Sequence, residues 1–172
     1  MFQKWAAFCS KFMAVHVLSY FLAGAFFYQW LTKPFYQGQG AEAIFKTFMR
    51  TESEPLLWQH VMTWQIPGQI LRGLLMGWAL LPFLEVLRGW RYWKRVWVLF
   101  GIYFVFSHLS ATGPTTGGIE GLIYLRPEIM NPRIFLAVQP EIILQALVLA
   151  LGVSWWMIPK SERKVGTVLT HD

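Results

Sequence analysis

Four apolar runs, at about residues 12–32, 60–87, 95–112 and 134–158, leave no stretch of the chain long enough for a soluble domain. Crossing a bilayer as a helix takes about twenty apolar residues. The pattern therefore predicts an all-α integral membrane protein, a single domain over residues 1–172 built as a four-helix bundle. Composition points the same way. Only 14% of the 172 residues are charged and 55% are hydrophobic, whereas a soluble domain has about a quarter of its residues charged.

The first run follows Lys4 and Lys11 and contains Ala23-Gly24-Ala25, as a cleaved signal would. Its apolar stretch continues through Phe26, Phe27 and Tyr28 to Trp30, longer than a signal core and closed by interfacial aromatics, so it reads as a retained helix. The single cysteine, Cys9, supplies neither a disulfide nor a redox pair and reads as a small apolar side chain.

Basic residues set the expected orientation. Lys4, Lys11, Arg88, Arg91, Lys94, Arg95, Lys160, Arg163 and Lys164 flank one side of the runs, and Lys33, Lys46, Arg50, Arg126 and Arg133 flank the other. By the positive-inside rule both termini are cytoplasmic and the two longer connections face outward. The net charge of +6 is thus spent on topology, and no nucleic-acid partner is implied. A bacterial inner or plasma membrane is the expected location. The segment RGWRYWKR reads as a tight cytoplasmic turn, with Trp90, Tyr92 and Trp93 at headgroup level and its cations meeting anionic lipid. Glu85 and Arg88 form an expected interfacial pair. The tail SERKVGTVLTHD is polar and short.

In the first outer connection, AEAIFKTFMR places Ile44, Phe45, Phe48 and Met49 on one side of a helix and Glu42, Lys46 and Arg50 on the other. A short helix lying in the interface plane is predicted. The third connection opens with TGPTTGG, a turn-forming stretch without a phosphate-binding pattern. It continues as IEGLIYLRPEIMNP, apolar enough to dip into the interface. Both outer connections read aromatic, Met or Leu, Arg, any residue, Glu, and each precedes a helix with an internal proline, Pro67 or Pro140. That likeness suggests two parallel hairpin repeats, with chance similarity of apolar helices as the competing explanation.

The fifteenth basic residue, Arg72, lies inside the second run. Trp58, Met62, Gln65, Gln69, Arg72 and Met76 recur at helical spacing, so one face is expected to carry them. Glu141 and Gln145 are one turn apart on the last helix. Ionisable groups at such depth cost several kcal/mol unless paired or hydrated. Counting residues from the predicted helix starts places Arg72 and Glu141 about 6 Å apart in depth. An Arg72–Glu141 ion pair is predicted, with Gln65, Gln69, Gln145 and His108 completing an intramembrane polar centre. Arg50, Glu52, Arg126 and Glu128 would line the approach from outside. Such a centre suits two roles, fixing helix register or holding an ion, a proton or a polar headgroup.

No cofactor is predicted. Haem or a pigment is the alternative, through His108 and His60, although His60 should lie near the surface and His16 too close to the cytoplasmic end to join them. No GxSxG, HExxH, CxxC or P-loop motif occurs, and neighbouring Ser107 and His108 point about 100° apart on a helix. The expected function is a non-enzymatic membrane subunit or scaffold packing with lipids and with other membrane proteins or copies of itself. A small transporter or channel component built on Arg72 and Glu141 is the alternative, and a membrane-embedded lipid enzyme or haem-binding subunit is third.

Overall fold

A computed structural model describes residues 2–38, 44–110, 115–125 and 127–157. These are 85% helical and contain no strand. Helix α1 covers 2–37, as an α-helix Phe2–Phe27, a π-helical stretch Tyr28–Thr32 and a last α turn Lys33–Gln37. Helix α2 is Pro55–Gly89 with a 3-10 turn at Leu81–Phe83. Helix α3 joins Tyr92–Gly101 to a π-helical stretch Ile102–Leu109. Helices α4, Ile119–Tyr124, and α5, Pro132–Met157, complete the described chain.

Proline and asparagine set several of these boundaries. Pro55 and Pro132 occupy first-turn positions, where the missing N–H would have had no partner. The Asn131 side chain accepts from the backbone N–H groups of Arg133 and Ile134, 3.0 and 3.1 Å away, and so caps α5. Pro67 and Pro140 lie inside α2 and α5, which continue through them.

Three helices are long and apolar enough to cross a membrane: Gln3–Gln37, Pro55–Gly89 and Pro132–Trp156. The expected fourth crossing, α3, begins with Lys94 and Arg95 in its first turn and is shorter. The observed helices also extend beyond the predicted runs. α1 starts ten residues before residue 12, and α2 starts five before residue 60, because Pro55-Leu56-Leu57-Trp58 is already helical.

The helices stand in the order α2, α1, α5, α3, with α1 and α5 as the central pair. α2 and α3 do not pack closely on each other, so the two hairpins suggested as repeats are not packed symmetrically. At one end, the turn end, Phe8, Phe12, Leu84, Leu87, Val96, Leu99, Leu149 and Val153 form an apolar core. There Lys11 Nζ lies 5.3 Å from the Trp156 ring centre, and the Tyr92 hydroxyl donates to the Leu151 carbonyl at 3.4 Å. Glycine permits the close approach of α2 to α1. A Cβ on Gly73 would stand 2.9 Å from Met13 Cα, and one on Gly77 would stand 3.2 Å from Cys9 Cα. This is the small-xxx-small device of membrane helix pairs.

At the opposite end, the loop end, Phe35, Phe45, Met130, Ile134 and Val138 make a smaller cluster. The predicted interfacial helix is here only a 3-10 turn, Ile44–Thr47. Phe45 is buried against Phe35 and Tyr36, while Phe48 and Met49 are exposed. The apolar side therefore divides, because one residue is drawn into the bundle end. Glu42, Arg126, Ala111, residues 112–114 of the TGPTTGG turn and the tail with Lys160, Arg163 and Lys164 lie outside the described residues, as does the side chain of Ile44.

The turn-end cations also differ from expectation. Arg91 and Lys94 are exposed, with Lys94 Nζ 4.5 Å from the Trp90 ring centre, but Arg95 is 2% exposed and belongs to the interior. The Glu85–Arg88 pair forms as predicted, at 3.0 Å.

Candidate functional site

The polar residues inside the bundle do not form one centre. They line two cavities, one at the loop end and one halfway along the helices.

The loop-end cavity, about 490 Å³, lies among α1, α2, residues 49–52 and Glu141 of α5. Tyr20, Tyr28 and Tyr36 of α1 all line it; eight residues of regular α-helix would turn a side chain by about 80°, and the wider π-helical stretch Tyr28–Thr32 falls within this span. Trp58 and Gln65 face them from α2, and Arg50 and Glu52 come from the connection. Glu52 is held in place: its carboxylate accepts from the Tyr28 hydroxyl at 2.9 Å and from the Gln37 amide. Glu141 is not. It makes no hydrogen bond or ion pair among the described residues, and its Oε1 lies over Gly24, where a Cβ would stand 3.6 Å away. Tyr20 and Tyr36 are within its electrostatic reach.

The middle cavity is smaller, about 200 Å³, and its walls carry His16, Arg72, Tyr103, Ser107, His108 and Gln145. The His16 Nε2 and Gln69 Oε1 atoms are 3.1 Å apart across the α1–α2 contact. Ser107 donates to the Tyr103 carbonyl within the π-helical stretch. His108 packs against Gly117, the one described glycine with a positive φ (+92°), where any side chain would collide with the ring. The Gln139 amide fixes that glycine by donating to its carbonyl at 2.8 Å. His108 Nε2 is buried without a hydrogen-bond partner.

The predicted Arg72–Glu141 ion pair is absent. Arg72 lies eight residues further down its helix than Glu141 down its own (Pro55 to Arg72 against Pro132 to Glu141), about 12 Å at roughly 1.5 Å per residue. The expected 6 Å rested on starting α2 at residue 60. The pattern of faces shifts as well. Gly73, Gly77 and Leu80 form the buried stripe of α2, Gln65 and Gln69 are half-buried beside it, and Met62 and Arg72 are exposed. Arg72 is thus both a wall of the middle cavity and open to the surroundings, within electrostatic reach of His16, Tyr20 and His108.

The remaining candidates sort accordingly. Gln145 and His108 share the middle cavity with Arg72, whereas Gln65 shares the loop-end cavity with Glu141, Arg50 and Glu52. Glu128 is exposed and lines neither cavity, and Arg126 lies outside the described residues. His60 is exposed beside Trp64 and does not meet His108. His16, expected at the wrong depth, does share a cavity with His108, because α1 begins at Phe2 and carries His16 toward mid-bundle.

The chain matches no protein-family model. It is likewise without a significant match among curated proteins or solved structures.

Proposed function

We propose that the chain is a non-enzymatic membrane subunit that crosses a bacterial inner or plasma membrane four times, with α3 as the fourth crossing and both termini cytoplasmic. In this reading α2 packs against another membrane protein or a second copy of the chain. The position of Arg72 carries the proposal. α2 stands at the edge of the bundle with α1 as its main neighbour, and Trp64, Leu71, Leu75 and Trp78 are exposed along it. Lipid would satisfy those side chains. It would not satisfy a guanidinium halfway along the helix that has no ion pair among the described residues, and such a group favours an anionic partner.

A photo-crosslinking residue at Leu71 or Leu75 tests this. The expected result is a discrete protein adduct, identified by mass spectrometry and lost on Arg72→Gln. Adducts with lipid alone, from a protein that elutes as a bare 20.0 kDa monomer, would sink the proposal. Accessibility of single cysteines at Ser53 and Gly89 in a Cys9→Ser background tests the orientation, with Ser53 labelled from outside.

A small transporter or channel component is the second reading. It is favoured by the succession of polar groups along the bundle, from Glu52 through Glu141 and Gln65 to Gln69, His16 and Arg72. Under it, Glu141→Gln or Arg72→Gln abolishes flux in proteoliposomes while assembly is retained. Flux unchanged in both variants would exclude it.

A further inference from the structure

We propose that the loop-end cavity binds an organic ammonium group, carried either by a lipid headgroup or by a free amine. The inference concerns this cavity alone, and it stands whether the chain works by itself or as a subunit.

The cavity carries two carboxylates, Glu52 and Glu141, against one cation, Arg50. Glu52 is already engaged by Tyr28 and Gln37. Glu141 is the group without a partner, and it faces the space that Gly24 leaves open. An unpaired carboxylate in a membrane-spanning helix is stabilised by a counter-charge or by water, and among the described residues no cation pairs with Glu141, which leaves it open to a cationic ligand.

The surrounding walls narrow its chemistry. Tyr20, Tyr28, Tyr36 and Trp58 line the same cavity as the carboxylate, and aromatic side chains hold ammonium and quaternary ammonium groups by cation–π attraction. A hard metal ion such as calcium takes six to eight oxygen ligands, and no group of three His, Cys, Asp or Glu side chains converges among the described residues.

A volume of about 490 Å³ is within the roughly 300–1,000 Å³ of small-molecule sites. It exceeds what one small amine fills, so there is room for more of the ligand than its charged head. Arg50 on the same wall is placed to meet a phosphate, which a phospholipid with an amine headgroup would bring and a free amine would not.

Equilibrium dialysis of radiolabelled choline and ethanolamine against the full chain in an uncharged detergent tests the site. Saturable binding is expected. Glu141→Gln should weaken it about tenfold or more and Trp58→Leu several-fold, while Glu85→Gln, at the far end of the bundle, should leave it unchanged. Trp58 lies on another helix, so the second variant decides the matter if Glu141→Gln fails to assemble. Displacement of the label by phosphatidylethanolamine in nanodiscs, but not by phosphatidylglycerol, identifies a lipid headgroup as the source; displacement by neither identifies a free amine. Non-saturable binding, equal binding in wild type and both variants, or displacement by sodium as effective as by choline would each overturn the proposal.

Discussion

The two ends of the bundle use the same helices in opposite ways. Toward the turn end α1, α2, α3 and α5 close on an apolar core of Phe12, Leu84, Val96, Leu99 and Leu149, with glycine backbone set against helix backbone. Toward the loop end α1, α2 and α5 hold apart around tyrosines, a tryptophan and carboxylates. Small residues show the contrast most directly. Gly73 lets two helices touch, whereas Gly24 faces a carboxylate across ordinary contact distance. What one end gains in packing, the other gives up to make room for polar groups.

The largest expected effect comes from forcing apart the close α1–α2 contact. Gly73→Leu forces a branched side chain into Met13 and His16, where even a Cβ would be too close, and should cost at least about 3 kcal/mol. Loss of monodisperse protein in mild detergent is the measurement. Phe12→Ala, at a side chain 1% exposed, should cost about 3–5 kcal/mol if the void stays empty and less if it collapses. Unfolding in graded denaturing detergent reads that difference.

Paired alanines sharpen the contrast. Gly73→Ala should destabilise by about 1–3 kcal/mol. Gly24→Ala, at 3.6 Å from Glu141 Oε1, should be neutral or stabilising by up to about 1 kcal/mol through helix propensity. Equal losses at the two sites would erase the distinction between the ends. Asn131→Ala removes the α5 cap and should cost about 1 kcal/mol, seen as faster hydrogen exchange in the first turn of α5. Glu85→Ala breaks a pair whose side chains are 36% and 85% exposed and should change stability by less than about 0.5 kcal/mol.

Much of the architecture was legible in the chain because apolar length dictates helix in a membrane protein. The level of each polar group was not, since it depends on where a helix begins. Pro55 was a usable start signal; reading the helix from His60 instead raised Arg72 toward Glu141 and implied a pair that the structure lacks. The Gly73-Leu74-Leu75-Met76-Gly77 stretch carries a small-xxx-small packing motif that locates the α1–α2 contact. The tyrosines of the loop-end cavity were not marked by their spacing, because eight residues of regular helix rotate a side chain by about 80°. The two π-helical stretches had no sequence signature. Both contribute walls to the cavities, Tyr28 and Thr32 to one, Tyr103, Ser107 and His108 to the other. Wide turns of this kind often accompany functional sites.

Helix length carries one more consequence. At roughly 1.5 Å per residue, the 35 residues of Gln3–Gln37 and of Pro55–Gly89 measure about 52 Å, against a hydrocarbon core of about 30 Å. On the far flank Tyr92–Leu109 measures only about 27 Å. In the four-crossing arrangement proposed above, the long pair would lean or stand clear of the headgroups of a flat bilayer while lipid thins beside the short helix. The molecule would then be a wedge in membrane thickness, with lipids around its rim meeting a different hydrophobic height on each side.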